Sequence, residues 1–588
     1  MMMATMKNRA AKKAANKKAR KKKPVDAQLL RKGKQLRTSR QLFERLGFVR
    51  IKSEGTQFTF DGRTGEIDDI FVSENVMLLV EYTVGKETTT HVSKKSILYR
   101  KIMENQPGWV EFSAESYPEF KQIFDEVGYI DTDFKVKIVY ISTDGVSDEI
   151  ADAFDYIQFL DGTKFRYFEA LGKTIHKSAR FEFFKYLGLK FNEVGKEIKT
   201  SSTSMKAFEG HVLPESFSSF PKDFKVVSFY ADPATLLMMS YVFRRDSWRD
   251  EEAMYQRVLH KGRMNQMRKY LTTEKRVFVN NIIVTLPNDT SLNEVGDTGK
   301  NIDPKSLTSV VGASIGVPHR SNVIGIVDGQ HRVFCYHEGN DKYEAKIKSL
   351  RDRQNLLVTG IIFPKNYTDV DRRRFEAKLF LEINDKQKRT GSELKQSIEL
   401  ILNPYSTIAI AKSVIQRLNA SGALNGFLQT NYFDPPRLIK TTSIVSYGLR
   451  PLLKLDGEDS LFSVWSHWGK NKLSDLQTGK QQPGAWGEGL LRDYIEFCVK
   501  YINDLLIAAK KSDPTRWRLG ESAKERYLSP TIINGFIVCL RSMIKNNKLS
   551  DVAGYESKLG RLASYDFSKY KSSAWKALGD DLYKSYFA

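Results

Sequence analysis

The apolar residues of this chain change their spacing near residue 391, and this change limits the folds that the chain can adopt. Before that point, short apolar runs such as 136–143 alternate with turn residues and helical stretches, which is typical of α/β domains. Beyond it, apolar residues recur every three or four positions over long segments, which predicts amphipathic helices. A chain of 588 residues is also too long for one hydrophobic core. We therefore expect a multidomain α/β protein with a C-terminal region that is mostly α-helical.

Shifts in composition divide the chain into four predicted segments. A polar stretch at 189–205 is the predicted linker between the first two folded domains. The segments are a basic disordered tail (1–25), an N-terminal α/β domain (26–200), a central α/β domain (201–390) and a helical region (391–588).

The charge of the chain predicts a polyanionic partner. The net charge is +23, and residues 1–24 contain ten Lys or Arg and no acidic residue, so the folded remainder is also basic. Lys and Arg bind nucleic acid by releasing the counterions of its phosphates, and acidic membrane surfaces attract the same charge. The tail is either a solvated, disordered segment or a non-specific nucleic-acid arm.

Cysteine spacing and hydropathy bear on the compartment. The three cysteines lie far apart without CxxC spacing, so neither a disulfide framework nor a structural zinc site is expected. The sequence contains no apolar run long enough to span a membrane, and its N-terminus lacks the apolar core of a secretory signal. We expect a cytoplasmic protein without a membrane-spanning segment.

A short apolar run, 321–327, ends in the sequence Asp328-Gly329-Gln330-His331-Arg332. The run suits a buried strand, and the residues that follow suit a helix. Glycine at such a junction lets the backbone approach a ligand closely, and the N–H groups at a helix start favour an anion. Arginine can bind two phosphate oxygens at once. The corner is therefore predicted to bind phosphate, although an Asp-Gly turn with a surface arginine would give the same pattern.

The sequence around this corner resembles the DGQHR family, which includes the DndB-like proteins of DNA phosphorothioation and related DNA-modification systems. Three further segments match that family in order. They are 255–257 (YQR), 278–284 (FVNNIIV) and 380–389 (FLEINDKQKR). The resemblance covers residues 225–450.

The DGQHR family resembles the ParB/sulfiredoxin fold, whose members bind nucleotide phosphates at an equivalent turn. The resemblance implies a bound nucleoside triphosphate, ATP by preference, and Mg²⁺ bridging its phosphates to Asp328 as a catalytic carboxylate. Gln330 stands where sulfiredoxins have cysteine, so sulfinic-acid repair is not expected. For Asn384 a structural role in a turn is an equal alternative. The residues expected to bind nucleotide are Arg257, Gly329, Gln330, His331, Arg332, Asn384 and Lys388.

A second group of candidate residues lies on a predicted β-hairpin near the N-terminus. Asp68 and Asp69 begin one apolar run, and Glu81 ends the next. Carboxylates on neighbouring strands can share Mg²⁺, which activates water and neutralises charge on an attacked phosphate. All three are candidate metal ligands, with Asp69 and Glu81 as catalytic residues. Acidic residues on a solvated hairpin face are the alternative.

This arrangement resembles the PD-(D/E)xK restriction endonucleases, in which a helix, a hairpin carrying Asp and then Glu-x-Lys, and a second helix follow one another. The chain departs from that pattern because Thr83 stands where the lysine belongs. Lys86 is the expected catalytic replacement, and Lys94 is another. Without either, such a domain would bind DNA and leave it uncut.

Two phosphate-directed sites in one basic chain predict a nucleotide-binding, DNA-processing protein of a prokaryotic DNA-modification and restriction (phage-defence) system. Mg²⁺-dependent nuclease and NTPase activities would belong to it, with DNA and other proteins of the system as partners. The alternative is a non-catalytic DNA-binding transcriptional regulator or nucleotide-switched clamp, which Thr83 favours. A small-molecule enzyme unrelated to DNA fits the basic charge less well.

Overall fold

The computed structural model describes residues 27–83, 88–142, 145–146, 148–195, 198, 204–242, 259–296, 300–384, 392–430, 434–467, 485–520 and 526–588. The chain divides into two compact units, 1–200 and 201–588, and each is described by itself. The predicted tail, 1–25, lies outside the described residues.

The first unit alternates helices with short strands. Its elements are α1 (Ala27–Arg45), β1 (Val49–Ile51), β2 (Phe58–Phe60), β3 (Arg63–Gly65), β4 (Asp69–Ser73), β5 (Val76–Thr83), α2 (Thr88–Glu104), α3 (Gln106–Ser116), α4 (Pro118–Val127), β6 (Lys135–Ser142), α5 (Asp148–Ala153), β7 (Ile157–Leu160), α6 (Gly162–Ile175) and α7 (Arg180–Tyr186).

The main sheet of this unit is mixed and has the strand order β1-β4-β5-β6-β7. The first three strands are antiparallel, and β6 and β7 run parallel to β5. Strands β4 and β5 form a hairpin in which Ser73 pairs with Val76 around a two-residue turn. Glu74 adopts a left-handed conformation there, with φ of 53°. Such tight turns bring the two strands into a defined register.

Helices cover both faces of this sheet. Met77 and Leu79 of β5 pack in a core with Leu98 of α2 and Trp109 of α3. On the opposite face, the ring of Phe71 lies 4.7 Å from that of Phe43 in α1. Successive strand residues point to opposite faces, so alternate residues of β4 and of β5 contact different helical layers.

The second unit begins with α/β structure. Its first elements are β8 (Met205–Leu213), α8 (Glu215–Ser218), β9 (Lys225–Ala231), α9 (Pro233–Met239), β10 (Ser240–Tyr241), α10 (Lys261–Glu274), β11 (Ile282–Leu286), β12 (Ser291–Asn293), β13 (Val311–Pro318), β14 (Ile324–Asp328), α11 (Gln330–Phe334), α12 (Glu344–Arg353), β15 (Leu356–Ile362) and α13 (Asp369–Asn384). The strands form one sheet in the order β10-β14-β11-β15-β9-β8-β13-β12.

The remainder of the second unit is helical around a single large apolar core. Its elements are α14 (Ser392–Leu402), α15 (Thr407–Ala420), β16 (Leu428–Gln429), β17 (Ile439–Lys440), a π-helix (Ile444–Leu449), α16 (Arg450–Leu452), α17 (Leu461–His467), α18 (Ala485–Ser512), α19 (Pro530–Lys545), α20 (Val552–Lys558) and α21 (Trp575–Tyr586). The predicted multidomain α/β architecture with a helical C-terminal region is confirmed.

No single described helix is long and apolar enough to cross a membrane. Among these helices, α14 and α15 are long and apolar enough only when taken together, and the chain bends by 102° between them.

Candidate functional site

Two carboxylates face each other at the end of the β4–β5 hairpin. The ladder ends with Asp69 opposite Val80, so the next position places Asp68 opposite Glu81. The Tyr82 N–H donates a hydrogen bond of 2.9 Å to the Asp68 side chain at Oδ2, which ties Asp68 to strand β5 beyond the end of the ladder. Asp68 and Glu81 therefore lie side by side on the face covered by α2.

A lysine from helix α2 completes this group. Lys95 Nζ lies 2.5 Å from Glu81 Oε2 and donates to the Glu66 carbonyl at 3.2 Å. It occupies the position that we expected Lys86 or Lys94 to take. Lys94 is exposed, and Lys86 lies outside the described residues. The Asp68, Glu81 and Lys95 side chains are called the carboxylate–lysine site below.

Burial dominates the electrostatics of this site. The Glu81 side chain is fully buried, and its desolvation raises the pKa of the carboxyl to about 8, against the lowering influence of Lys95. The charge of Asp68 raises the pKa of Glu81 further. Glu81 Oε1 has no hydrogen-bond partner among the described residues. Because burial holds a proton on Glu81, a cation would bind here by displacing that proton, next to the charge of Asp68.

Aromatic and imidazole groups line the same end of the sheet. His91 Nδ1 lies 2.8 Å from the Tyr140 hydroxyl. Burial and the charge of Lys95 lower the pKa of His91, so its imidazole is neutral at pH 7. Burial also raises the pKa of the Tyr99 hydroxyl well above its usual range, with Glu81 adding to the effect. Neutral groups therefore lie beside the charges of this site.

Asp69, a predicted metal ligand and catalytic residue, lies on the other face of the sheet from Glu81. It accepts hydrogen bonds from Arg40 Nε at 2.7 Å, Arg50 Nε at 2.5 Å and the Tyr82 hydroxyl at 3.0 Å. The buried carboxylate is neutralised by two guanidinium groups, which is a structural role. The structure therefore does not bring Asp69 and Glu81 together, because strand alternation sends neighbouring residues to opposite faces.

The carboxylate–lysine site fits a magnesium ion in its donor chemistry. No group of three or more His, Cys, Asp or Glu among the described residues is arranged to hold a metal. Mg²⁺ is commonly held by one or two carboxylates together with substrate phosphates and water. Asp68 and Glu81 supply that pair, and the unpartnered Glu81 Oε1 is an available ligand atom.

The raised pKa of Glu81 predicts a pH-dependent stability. In the unfolded chain a glutamate ionises near pH 4.3, whereas the folded protein retains the proton to about pH 8, so stability falls as pH rises between these values. In EDTA, we compare the unfolding free energy of Glu81→Gln with that of the wild type. The difference, in favour of the variant, should be about 2–4 kcal/mol larger at pH 8 than at pH 5. Hydrogen exchange of β5 peptides, compared between the proteins at each pH, measures this difference.

Asp61→Asn is the matched control for that measurement. Asp61 is an exposed carboxylate paired with Lys101 at 2.5 Å, so its replacement should leave the pH dependence of β5 protection unchanged. Equal differences between Glu81→Gln and wild type at both pH values would contradict the buried, protonated state of Glu81.

The Asp328–Arg332 corner forms the second candidate site. Strand β14 ends at Asp328, Gly329 turns the chain with φ of 99°, and helix α11 follows for five residues. A Cβ at Gly329 would lie 2.7 Å from Ile282 Cδ1, so only glycine fits this position without strain. The strand-to-helix turn agrees with the sequence prediction, and the helix ends at Phe334.

The Arg332 side chain folds back across the corner. Its Nη2 lies 2.6 Å from Asp328 Oδ2 and donates to the Asn281 carbonyl at 2.9 Å, while its Nε is buried with no partner among the described residues. Asp328 therefore neutralises much of the charge that a phosphate would meet. A cation at Asp328 would release the guanidinium for an anion, which is the fit expected for a magnesium nucleotide.

The segments that carry the family resemblance converge on this corner where they are described. Strand β11, which begins within the 278–284 segment, pairs with β14, and Phe380 of α13 packs on Val327. The amide of Asn384 donates to the Phe380 carbonyl at 2.9 Å, which is a local helical contact. Arg257 and Lys388 lie outside the described residues. Gln330 is buried and His331 is half-buried beside Arg332.

Two buried groups near the corner were not anticipated. Arg268 of α10 donates to the carbonyls of Cys335 and His337, at 3.0 and 2.8 Å, and pairs with acidic residues. Glu376 of α13 is fully buried, and desolvation raises its pKa. It accepts hydrogen bonds from the hydroxyls of Tyr241 and Thr285. In the sequence, these buried groups are marked only by a charged residue within an otherwise apolar stripe of a helix.

Comparison with known proteins finds no relative for this chain. No family model, no curated protein and no solved structure matches it.

Proposed function

We propose that the first unit is a Mg²⁺-dependent nuclease domain that acts on DNA. The observation that carries this proposal is the carboxylate–lysine site, in which Asp68 and Glu81 oppose each other and Lys95 Nζ lies 2.5 Å from Glu81. The order of elements supports it, since a helix precedes the carboxylate hairpin and another follows it. This order is the one expected from the resemblance to PD-(D/E)xK endonucleases.

Each residue of the site has a distinct part in the proposed chemistry. Asp68 and Glu81 would hold the metal ion, which when bound supplies charge neutralisation at the phosphate and an activated water. Lys95 would orient the attacking water and stabilise negative charge on the phosphate, as an ammonium on a helix can do from outside the hairpin. The buried setting strengthens these interactions, because charges interact more strongly away from bulk water.

The second unit is proposed to bind a nucleoside triphosphate at the Asp328–Arg332 corner. The support is the left-handed Gly329 and the buried, unpartnered Nε of Arg332, a guanidinium donor directed into the turn. Together with the net charge of +23, these features suit a DNA-processing protein. We place it in the cytoplasm, in a prokaryotic DNA-modification and restriction system of the DGQHR, DndB-like type, with other proteins of that system as partners.

A non-catalytic function is the second candidate, and one observation favours it. Both sites are internally paired, Glu81 with Lys95 and Asp328 with Arg332. Each ion pair keeps the site in its closed state until a ligand that binds the open state more tightly separates the two charges. A DNA-binding regulator or nucleotide-switched clamp would use them as switches without cutting DNA.

One experiment separates these functions. Purified protein is incubated with supercoiled plasmid, Mg²⁺ or EDTA, and each of the four nucleoside triphosphates, and both DNA nicking and phosphate release are measured. Nicking that requires Mg²⁺ supports the nuclease. Phosphate release without nicking supports the nucleotide-switched clamp. If the plasmid stays intact but its gel mobility shifts, the result supports a DNA-binding protein and excludes the nuclease.

A further inference from the structure

An aromatic pair stands on the surface of the helical region, away from its core. The rings of Tyr447 and Trp575 stack with centroids 5.0 Å apart and planes inclined by 26°. Tyr447 is 55% exposed and Trp575 is half-buried. Neither belongs to the large apolar core of this region as described. Large aromatic residues normally contribute their area to a core, so a stacked pair at the surface calls for another explanation.

The backbone beneath Tyr447 is unusual. Tyr447 lies in the π-helix Ile444–Leu449, whose other apolar residues are buried. Gly448 in the same turn packs against the side chain of buried Asn534, where a Cβ would collide with its amide oxygen. The extra residue of a π-turn changes which side chains point outward, and such turns are frequent at functional sites. The local structure thus directs the Tyr447 ring to solvent while the turn itself remains anchored.

The Trp575 side of the pair is also anchored. Ser572 precedes α21, and its carbonyl accepts a hydrogen bond of 3.0 Å from the Thr531 hydroxyl. The Ala574 N–H donates to the Lys571 carbonyl at 2.9 Å, closing a turn just before Trp575. Both rings are therefore carried on ordered backbone, which reduces the entropy lost when a ligand stacks on them.

Exposed cations lie close in sequence to both members of the pair. Arg450 follows Tyr447 by three residues on a continuing helix, and Lys571 and Lys576 flank Trp575. All three side chains are exposed. Stacked, exposed aromatic rings with neighbouring basic residues are the combination that binds single-stranded nucleic acid, where bases stack on rings and cations contact the backbone.

We propose that Tyr447 and Trp575, with Arg450, Lys571 and Lys576, form a stacking platform for single-stranded DNA. An unpaired base has an open face for a protein ring, whereas the faces of paired bases are covered by their neighbours in the duplex. The platform is independent of the carboxylate–lysine site and requires no metal. It would give the protein a preference for unpaired regions of DNA.

Binding of a fluorescein-labelled thymidine oligonucleotide to the full chain, measured by anisotropy in EDTA, tests this proposal. EDTA prevents cleavage from affecting the result, and the basic tail contributes equally to every variant. Tyr447→Ala should weaken binding about tenfold, whereas Tyr447→Phe, which keeps the ring, should bind as the wild type does. Lys576→Ala should reduce the dependence of log affinity on log salt by about 0.7.

Tyr230→Ala is the matched control, because Tyr230 is a 62% exposed tyrosine on β9 at a different surface. It should leave binding unchanged. Wild-type affinity in Tyr447→Ala, or equal weakening in Tyr230→Ala, would each overturn the platform, as would an equal loss of duplex affinity in Tyr447→Ala. Since no cleavage is measured, failure of the nuclease proposal would not produce any of these outcomes.

Discussion

Replacing Glu81 by glutamine is expected to reduce Mg²⁺-dependent DNA cleavage by about a thousandfold or more. The amide keeps the size of the side chain but removes the charge that would hold a metal ion, whose contribution to phosphate hydrolysis amounts to several kcal/mol. Asp68→Asn should show a loss of similar size, because the two carboxylates oppose each other in the hairpin. Rates of plasmid nicking over a range of Mg²⁺ and Mn²⁺ concentrations measure the effect.

Lysine variants provide the matched comparison for this prediction. Lys95→Ala should also reduce the cleavage rate strongly, because its ammonium lies 2.5 Å from Glu81. Lys94→Ala changes the neighbouring lysine, which is exposed and lies on another side of α2, so it should cleave at the wild-type rate. Equal activity in Lys95→Ala and Lys94→Ala would remove Lys95 from the site. Unchanged cleavage in Glu81→Gln would sink the nuclease proposal.

Replacing Arg268 by methionine is expected to destabilise the second unit by about 3–5 kcal/mol. Its side chain is 0% exposed, donates to two backbone carbonyls, and pairs with Asp341 at 2.8 Å and Glu344 at 2.9 Å. Burial is the largest single influence and would raise the pKa of Asp341, but the hydrogen bond and the charge of Arg268, together with the Tyr343 N–H, lower it overall. Methionine fills the space but removes the donor to the Cys335 carbonyl, whereas Arg351 still donates to the His337 carbonyl and to Glu344.

Calorimetric unfolding, with hydrogen exchange of peptides from 330–345, measures that loss. Arg320→Met is the control, since Arg320 pairs with Asp289 at the surface and both side chains are about half exposed. Its replacement should change stability by less than about 1 kcal/mol. A loss in Arg268→Met no larger than in the control would show that the buried network contributes little to stability.

Local pattern was sufficient to predict several elements of both sites. The hairpin of β4 and β5 and the strand-to-turn corner at Gly329 were predicted because both depend on residues adjacent in sequence. The identity of the lysine was not predicted, because Lys95 reaches Glu81 from a helix 14 residues away and nothing in the spacing separates it from Lys94. The pairing of Arg332 with Asp328 was also missed, since a salt bridge and a phosphate ligand use the same residue types.

The sequence by itself determined the α/β architecture, its helical C-terminal region and the concentration of acidic residues at one end of a hairpin. These follow from periodicity and turn chemistry, which act over a few residues. Only the tertiary structure decided that Asp68, and not Asp69, faces Glu81. That choice depends on the register of two strands and on which helices cover each face, and both are set by packing between segments far apart in the chain.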